Sequence, residues 1–312
     1  MNTDSAPQPD MSHQPAPQES LGNPELSPDE IVLELQKRLP EWANELVNSE
    51  RYENPDDPHR DQFAENPNAT EMHSKWHQWG IIRHTLMTGK YLDDIVPGLL
   101  ESEEWFGPDT GGSKLGLADE SIDSMSKWDL LRIAAPTHDY GKFAKRQYRG
   151  DDADGNPMFT FAGHEAESGN IVRAWKDRFA KFGMTEDQIE YVAQCAQLHY
   201  ELGKLRDKAK DSELGYTIAF TESEEFEDMA QEIASLYPDM VREMGIFFVA
   251  DSLAKNDLHQ TIRAQTDEEI EQARAEIQQD IANRNLAPHL LVAGMQQGIN
   301  MAAGRKFLKI AA

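Results

Sequence analysis

Apolar residues recur along most of the chain at the three- to four-residue spacing of helices that bury one face. The first run follows Ser27 and Glu30, which form a predicted capping box, and Pro40 is expected to end or interrupt that helix. Further helices are predicted over residues 72–94, 127–136, 164–182, 185–203, 223–236, 239–257, 266–284 and 289–309. Because strand signals are weak and no internal repeat occurs, the pattern predicts an all-α architecture.

The chain divides into four parts along this pattern. Residues 1–29 are rich in Pro, Gln and Ser and contain neither Lys nor Arg, which predicts a disordered acidic tail. Residues 30–70 hold the first helix and a polar, proline-containing connecting loop, and residues 71–260 hold the main helical domain. Residues 261–312 are predicted to form a helical extension that packs on this domain.

Two segments interrupt the helical pattern of the main domain. Residues 98–126 show little periodicity and predict a long loop that could serve as a lid. Residues 148–161 combine turn signals with a short aromatic stretch, which predicts a loop or a small β-hairpin.

Composition and charge narrow the classes of partner. The 312 residues suffice for a large core, and no apolar run is long enough to cross a membrane. The formal charge of -26 disfavours binding to long nucleic acid or to an anionic membrane surface. Cys195 is the single cysteine, so an internal disulfide and a Cys-rich metal site are excluded. The N-terminal residues lack a secretory pattern, which predicts a cytoplasmic location.

Several histidines and aspartates lie in, or at the end of, otherwise apolar helical stretches. Ionisable groups that face a core are costly unless they are paired or bind a metal, and converging helices can bring them to one point. Adjacent residues such as His138 and Asp139 can both reach one metal only where a helix ends or is distorted, and Gly141 is expected to supply that break. The candidate ligands are His84, His138, Asp139, His164, His199 and Asp251.

The order His84, His138-Asp139, Asp251 resembles the H…HD…D pattern of the HD superfamily of metal-dependent phosphohydrolases. Between Ala134 and Tyr200, the runs THDYGKFAKRQ, DGNPMFTFAGHEAESGNIV and DQIEYVAQCAQLHY are similar to the HD domain of bacterial tRNA nucleotidyltransferases and poly(A) polymerases. The nucleotide-adding half of those enzymes has no counterpart here. The resemblance therefore implies an HD-domain helical bundle over residues 71–260, with extra N- and C-terminal helices and long loops.

The resemblance also implies roles for the candidate ligands. His84, His138, Asp139 and Asp251 would hold one metal, His164 and His199 a second, and Asp139 would bridge the two. The alternative is a single metal held by the first four residues, with His164 or His199 positioning the substrate or protonating the leaving group. Mixed imidazole and carboxylate ligands suit divalent transition metals, namely Mn, Fe, Co, Ni or Zn, and Mg is also compatible with the set. Asp139 would then be catalytic as well as a metal ligand, because it would lie beside the activated water.

Basic residues follow the HD pair closely. Lys142 lies one helical turn beyond Asp139 and is a candidate for catalysis and for phosphate binding, while Arg146 and Arg149 are candidates for substrate binding. A solvated basic face is the alternative for the two arginines. His77, earlier in the chain, is expected to pack near the site or to line its entrance rather than to bind metal.

These observations favour a phosphohydrolase that cleaves a small phosphorylated substrate, nucleotides included, by means of a metal-activated water. Two alternatives stay open at this point. One is an HD-fold di-iron oxygenase acting on a small polar substrate, since inositol-oxygenase-like proteins use a similar ligand set. The other is a non-catalytic binding protein.

Overall fold

The computed structural model describes residues 26–65, 77–106, 113–152, 155 and 157–311. Most of these residues are helical. The helices are α1 Pro28–Asn48, α2 Arg60–Glu65, α3 Ile81–Asp94, α4 Val96–Leu100, α5 Glu103–Phe106, α6 Lys127–Ala134, α7 Tyr140–Lys145, α8 His164–Ala174, α9 Lys176–Ala180, α10 Glu186–Leu198, α11 Gly203–Lys208, α12 Ile218–Thr221, α13 Glu224–Leu236, α14 Val241–Ala254, α15 Asp267–Asn283 and α16 Leu290–Ala311. Short 3-10 helices cover Ser113–Gly116, Ala135–Thr137, Ala209–Asp211, Pro238–Met240 and His259–Thr261.

The strands in the described ranges form two small antiparallel hairpins. The strands are β1 Ser121–Ile122, β2 Met125–Ser126, β3 Gln147–Asp151 and β4 Pro157–Thr160. In the second hairpin Gln147 pairs with Thr160 and Tyr148 with Phe159, which confirms that turn signals followed by aromatics form a hairpin here. The fold is thus mostly helical, as the periodicity predicts.

Helix α1 begins as the sequence predicts but does not end at Pro40. The Ser27 side chain accepts from the Glu30 amide, and the Glu30 carboxylate accepts from the Ser27 amide, so the capping box is confirmed. Pro40 lies within the helix on its exposed side. Because Leu39 before it and Trp42 after it are both buried, apolar burial offsets the lost backbone hydrogen bond and the helix continues.

Helix α14 runs through the centre of the core. All its residues except Arg242 are buried, and it packs against α3 on one side and α16 on another. A helix that is apolar all round requires neighbours on every face, and the C-terminal helix α16 supplies one of them. Gly245 permits a close approach there, because a Cβ at this position would lie 2.5 Å from the Leu308 Cδ2 atom.

The predicted long loop over residues 98–126 contains regular structure within its described part. Helices α4 and α5, a 3-10 helix and the first hairpin lie there, and Trp105 and Leu117 are buried. These elements are too short to produce a periodic signal, and isolated apolar anchors hold them to the core. The preceding helix is also shorter than predicted, since α3 begins at Ile81 and residues 77–80 are not helical. Residues 72–76 of that prediction lie outside the described residues.

Within the described ranges, no helix is both long enough and apolar enough to cross a membrane. Residues 1–25 of the predicted acidic tail lie outside the described residues, and the remaining part of the predicted tail includes the start of α1.

Candidate metal centre

Five separate parts of the chain bring the candidate ligands together. His84 lies on α3, His138 and Asp139 lie between a 3-10 helix and α7, His164 begins α8, His199 follows α10, and Asp251 lies on α14. His164 is partly buried, and the other five residues are buried, each 4% exposed or less. The six side chains, which are up to 167 positions apart in the sequence, therefore meet inside the core.

The break that lets His138 and Asp139 both face the centre occurs at Asp139 itself. Its backbone has φ -104° and ψ 11°, which is not helical, and α7 begins at the next residue. The expectation that Gly141 supplies the break is wrong, because Gly141 lies inside α7. A Cβ at Gly141 would lie 1.9 Å from the His164 carbonyl oxygen, so glycine is required for α7 to approach the start of α8. This contact places His164 opposite Asp139.

The four imidazoles are oriented in the same way. The Nδ1 atoms of His138, His164 and His199 lie 2.7, 2.8 and 2.7 Å from the carbonyl oxygen three residues earlier in the chain. The Nδ1 atom of His84 lies 3.2 Å from the Ala254 carbonyl oxygen. Since a carbonyl only accepts, Nδ1 carries the proton in His138, His164 and His199, and their Nε2 atoms present a lone pair to the centre when the rings are neutral. In His84 both ring nitrogens face acceptors, because its Nε2 atom also lies 2.9 Å from the Asp251 Oδ1 atom.

The two oxygens of Asp139 face different pairs of imidazoles. Its Oδ2 atom lies 3.4 Å from the Nε2 atom of His84 and 3.3 Å from that of His138. Its Oδ1 atom lies 3.4 Å from the Nε2 atom of His164 and 3.7 Å from that of His199. The carboxylate thus separates the imidazoles into two groups, with one oxygen directed to each.

Asp251 belongs to the first of these groups. Its Oδ1 atom lies 2.9 Å from the His84 Nε2 atom and 3.8 Å from the His138 Nε2 atom. Its other oxygen lies 2.9 Å from the Nζ atom of Lys255, one helical turn further along the chain. Lys142 is placed in a similar way, with its Nζ atom 2.8 Å from the Asp139 Oδ2 atom.

The surrounding charges keep both carboxylates ionised. Burial alone would raise the pKa of Asp139, but His138 and Lys142 outweigh burial and hold the pKa well below its usual value. Asp251 behaves likewise: burial opposes ionisation, and the charge of Lys255 and the hydrogen bond from His84 lower its pKa. Ionised carboxylates are the form that binds a cation.

Burial acts in the opposite direction on the imidazoles. It lowers the pKa of His84 and, together with the charge of His138, holds the pKa of His199 well below its usual value, so both rings favour the neutral form. At His138 burial also lowers the pKa, but the Asp139 carboxylate outweighs burial and the pKa is raised. A cation that binds the His138 ring would compete with the proton that the raised pKa favours on this ring.

The residues fit a metal ion. The His138 Nε2 atom and the Asp139 Oδ1 atom are buried without a hydrogen-bond partner in the described part of the chain, which is costly unless another group occupies the space between them. Ligand atoms of His84, His138 and Asp251 lie within 4.8 Å of one another, as do those of His138, Asp139 and His199. These five residues could therefore hold a metal ion. His164 belongs to neither group, although its Nε2 atom faces Asp139.

The three predicted basic residues lie in different environments. Lys142 contacts Asp139, as described above. Arg146 is buried, with its guanidinium carbon 4.0 Å from the ring centroid of Phe63 and 3.6 Å from that of Phe159, and its Nε atom lies 3.4 Å from an oxygen of Asp57. Arg149 is exposed, and its Nε atom donates to the Thr160 hydroxyl across the second hairpin. Substrate binding by the two arginines stays a prediction.

Further side chains surround the cluster. The His77 ring stacks on His84 with a centroid distance of 4.6 Å, consistent with a packing role. Sequence reasoning missed Phe247, whose ring lies 5.4 Å from that of His138 and 6.1 Å from that of His199. Its position one helical turn before Asp251 is the signal that could have identified it, because residues four apart share a helix face. Phe247 forms an apolar wall of the site.

Neither the comparison with protein-family models nor the comparison with curated proteins found a match for this chain.

Proposed function

We propose that the protein is a metal-dependent phosphohydrolase that cleaves a small phosphoester, nucleotides included. The observation that carries the proposal is the placement of Asp139, with one carboxylate oxygen toward His84 and His138 and the other toward His164 and His199. A carboxylate in this position is suited to bridge two cations, which is the arrangement that two-metal hydrolases use.

In this proposal the ligands divide into two sets around Asp139. His84, His138, Asp139 and Asp251 hold one ion, and His164, His199 and Asp139 hold the other. When bound, divalent transition metals lower the pKa of a coordinated water and polarise a phosphoryl oxygen. The likeness of residues 134–200 to HD domains of tRNA nucleotidyltransferases supports this assignment of the ligands.

Groups of the protein itself orient the imidazole ligands and neutralise negative charge at the site. The four carbonyl contacts to Nδ1 atoms fix the imidazole ring planes, so the Nε2 atoms need no reorientation. Lys142 places an ammonium group beside Asp139, where it can also attract a phosphate oxygen. Phe247 limits the access of water on one side and thereby strengthens the electrostatic interactions inside the site.

The test is phosphate release by the purified full chain. The protein is loaded with Mn²⁺, Co²⁺, Ni²⁺, Zn²⁺ or, anaerobically, Fe²⁺, and assayed with p-nitrophenyl phosphate, bis-p-nitrophenyl phosphate and nucleoside monophosphates. We expect hydrolysis with at least one cation. Asp139→Asn should lower the rate by more than the roughly 10- to 100-fold that loss of a hydrogen bond to a metal ligand costs.

Asp119→Asn is the matched control. Asp119 is exposed and lies between the 3-10 helix Ser113–Gly116 and the first hairpin, so this variant should keep the full rate. Absence of phosphate release with every cation would contradict the proposal. Oxygen-dependent turnover without phosphate release would instead identify the oxygenase.

A further inference from the structure

A second polar pocket adjoins the metal centre on the side of the C-terminal helix. It lies between α11, the end of α14 and α16, and the residues that matter for its chemistry are Arg206, Ser252, Lys255, Asn256 and Gln297. Lys255 connects it to the centre, because its Nζ atom lies 2.9 Å from Asp251. Arg206 connects it on the other side by donating to the Tyr200 hydroxyl, and Tyr200 follows the ligand His199.

Four polar atoms of residues that line this pocket are buried without a partner in the described ranges. They are the Ser252 hydroxyl, the Asn256 Nδ2 atom, the Gln297 Oε1 atom and the Gln296 Nε2 atom. Ser252, Asn256 and Gln297 are each 1% exposed. Leaving such atoms unpaired costs folding free energy, and native proteins rarely do so without a functional reason. Because their residues line one pocket, these atoms could pair with a group that occupies it.

Backbone contacts determine which atoms of the two amides face the pocket. The Asn256 Oδ1 atom accepts from the Leu258 amide at 3.0 Å, which leaves Nδ2 as a donor. The Gln297 Nε2 atom donates to the Ser252 carbonyl at 3.1 Å, which leaves Oε1 as an acceptor. The pocket thus offers neutral amide donors at Asn256 and Gln296 and a neutral acceptor at Gln297, together with a hydroxyl that can act as either.

The size of the pocket limits the group that it can take. The cavity volume in which the centre of a water-sized group can lie is about 10 Å³. This is roughly enough for one such group. A phosphate is too large and would leave the Gln297 acceptor unpaired. A carboxylate would also leave the Gln297 acceptor unpaired. An ammonium group would be repelled by the positive charges of Arg206 and Lys255. A hydroxyl matches both the size and the mixed hydrogen bonding, as a single water molecule also does, and the binding comparison below separates the two.

We propose that this pocket binds a hydroxyl group of the substrate, so that the protein acts on a sugar or polyol phosphate. The inference rests on the proposed function, since it assigns the remainder of the same substrate. The phosphate lies at the metal centre, and a neighbouring hydroxyl donates to Gln297 and accepts from both Asn256 and the Ser252 hydroxyl. The C-terminal extension then contributes to substrate selection.

Calorimetric binding of two phosphonates to the Mn²⁺-loaded full chain tests the pocket without turnover, because the C–P bond resists hydrolysis. Dihydroxybutylphosphonate and butylphosphonate share a carbon chain and differ only in the hydroxyls. We expect the hydroxylated compound to bind roughly tenfold more tightly. Equal affinity, or no binding of either compound, would overturn the inference.

Two variants locate the preference in this pocket. Ser252→Ala should reduce the affinity ratio roughly threefold to tenfold, whereas Ser235→Ala, an exposed serine on α13, should leave the ratio unchanged. Asn256→Asp keeps the acceptor for the Leu258 amide and should also reduce the ratio. The ratio of the two phosphonate affinities is compared because the negative charge that Asn256→Asp introduces affects the binding of both compounds equally. An unchanged ratio in both pocket variants would exclude the pocket as the source.

Hydrolysis of glycerol phosphate and propyl phosphate separates the two proposals. Equal phosphate release from both esters, with equal phosphonate affinities, would leave the phosphohydrolase standing and remove the hydroxyl subsite. A preference for the hydroxylated phosphonate without phosphate release from either ester would leave the subsite standing and remove the phosphohydrolase.

Discussion

Two clusters bury charged side chains in this protein, and they do so in opposite ways. At the candidate metal centre, two carboxylates and four imidazoles direct their ligand atoms toward one another. Around Arg146, the guanidinium is held between two phenyl rings and pairs with Asp57, which also accepts from the Tyr52 hydroxyl. The first arrangement gathers atoms that could hold a metal ion, whereas the second encloses its charge between aromatic rings and an oppositely charged side chain. Burial of a charge therefore does not by itself indicate function, and the orientation of its neighbours does.

The largest expected effect is on metal content. Asp139→Asn should abolish binding of both ions, because one carboxylate contacts both groups of imidazoles. His164→Ala should remove only the ion of the second set. Elemental analysis of the purified variants gives the number of ions per chain. If His164→Ala retained the wild-type number, the assignment of a two-ion centre would be incorrect.

A substitution in the second cluster should affect stability instead. Arg146→Met leaves the buried Asp57 carboxylate without its cation, and loss of one partner of a buried ion pair costs about 3–5 kcal/mol of unfolding free energy. Urea unfolding measures this change. The folded variant should still bind the wild-type number of metal ions, and a lower number would mean that the two clusters are coupled.

Chelation should destabilise the wild-type protein through the metal centre alone. A ligand present at a hundred times its Kd stabilises the folded state by about 2.7 kcal/mol, so removal of the ions should lower the Tm. Thermal unfolding with and without EDTA measures the difference. The Asp139→Asn variant is the control, and its Tm should not respond to EDTA.

Lys142→Met should affect turnover but not metal content, because it removes the ammonium group but none of the ligands. A hydrogen bond to a charged group contributes about 1.5–3 kcal/mol, which corresponds to roughly a 10- to 150-fold lower kcat/KM for phosphoester hydrolysis. Steady-state kinetics on the metal-loaded variant measure this change. The number of bound ions should remain that of the wild type, which separates a role in substrate contact from a role in metal binding.

Much of the helical fold, and the histidines and aspartates that meet in the core, could be predicted from sequence. The capping box at Ser27, the periodic runs and the hairpin after Arg146 depend on neighbouring residues, so local physics predicts them. The helices over residues 98–126 were missed because each is about one turn long. The effect of Pro40 was misjudged because the buried residues on both sides of it belong to tertiary packing.

The sequence by itself determined which residue types could bind a cation, since His84, the His138-Asp139 pair and Asp251 stand out in otherwise apolar helices. Only the tertiary structure decided how they are used. It directed the two oxygens of Asp139 to different imidazoles, packed Arg146 between two phenyl rings, and brought Gln297 of the C-terminal helix to the backbone carbonyl of Ser252. The physical reason is that helix period and capping act over a few residues, whereas side-chain direction depends on which helices pack together.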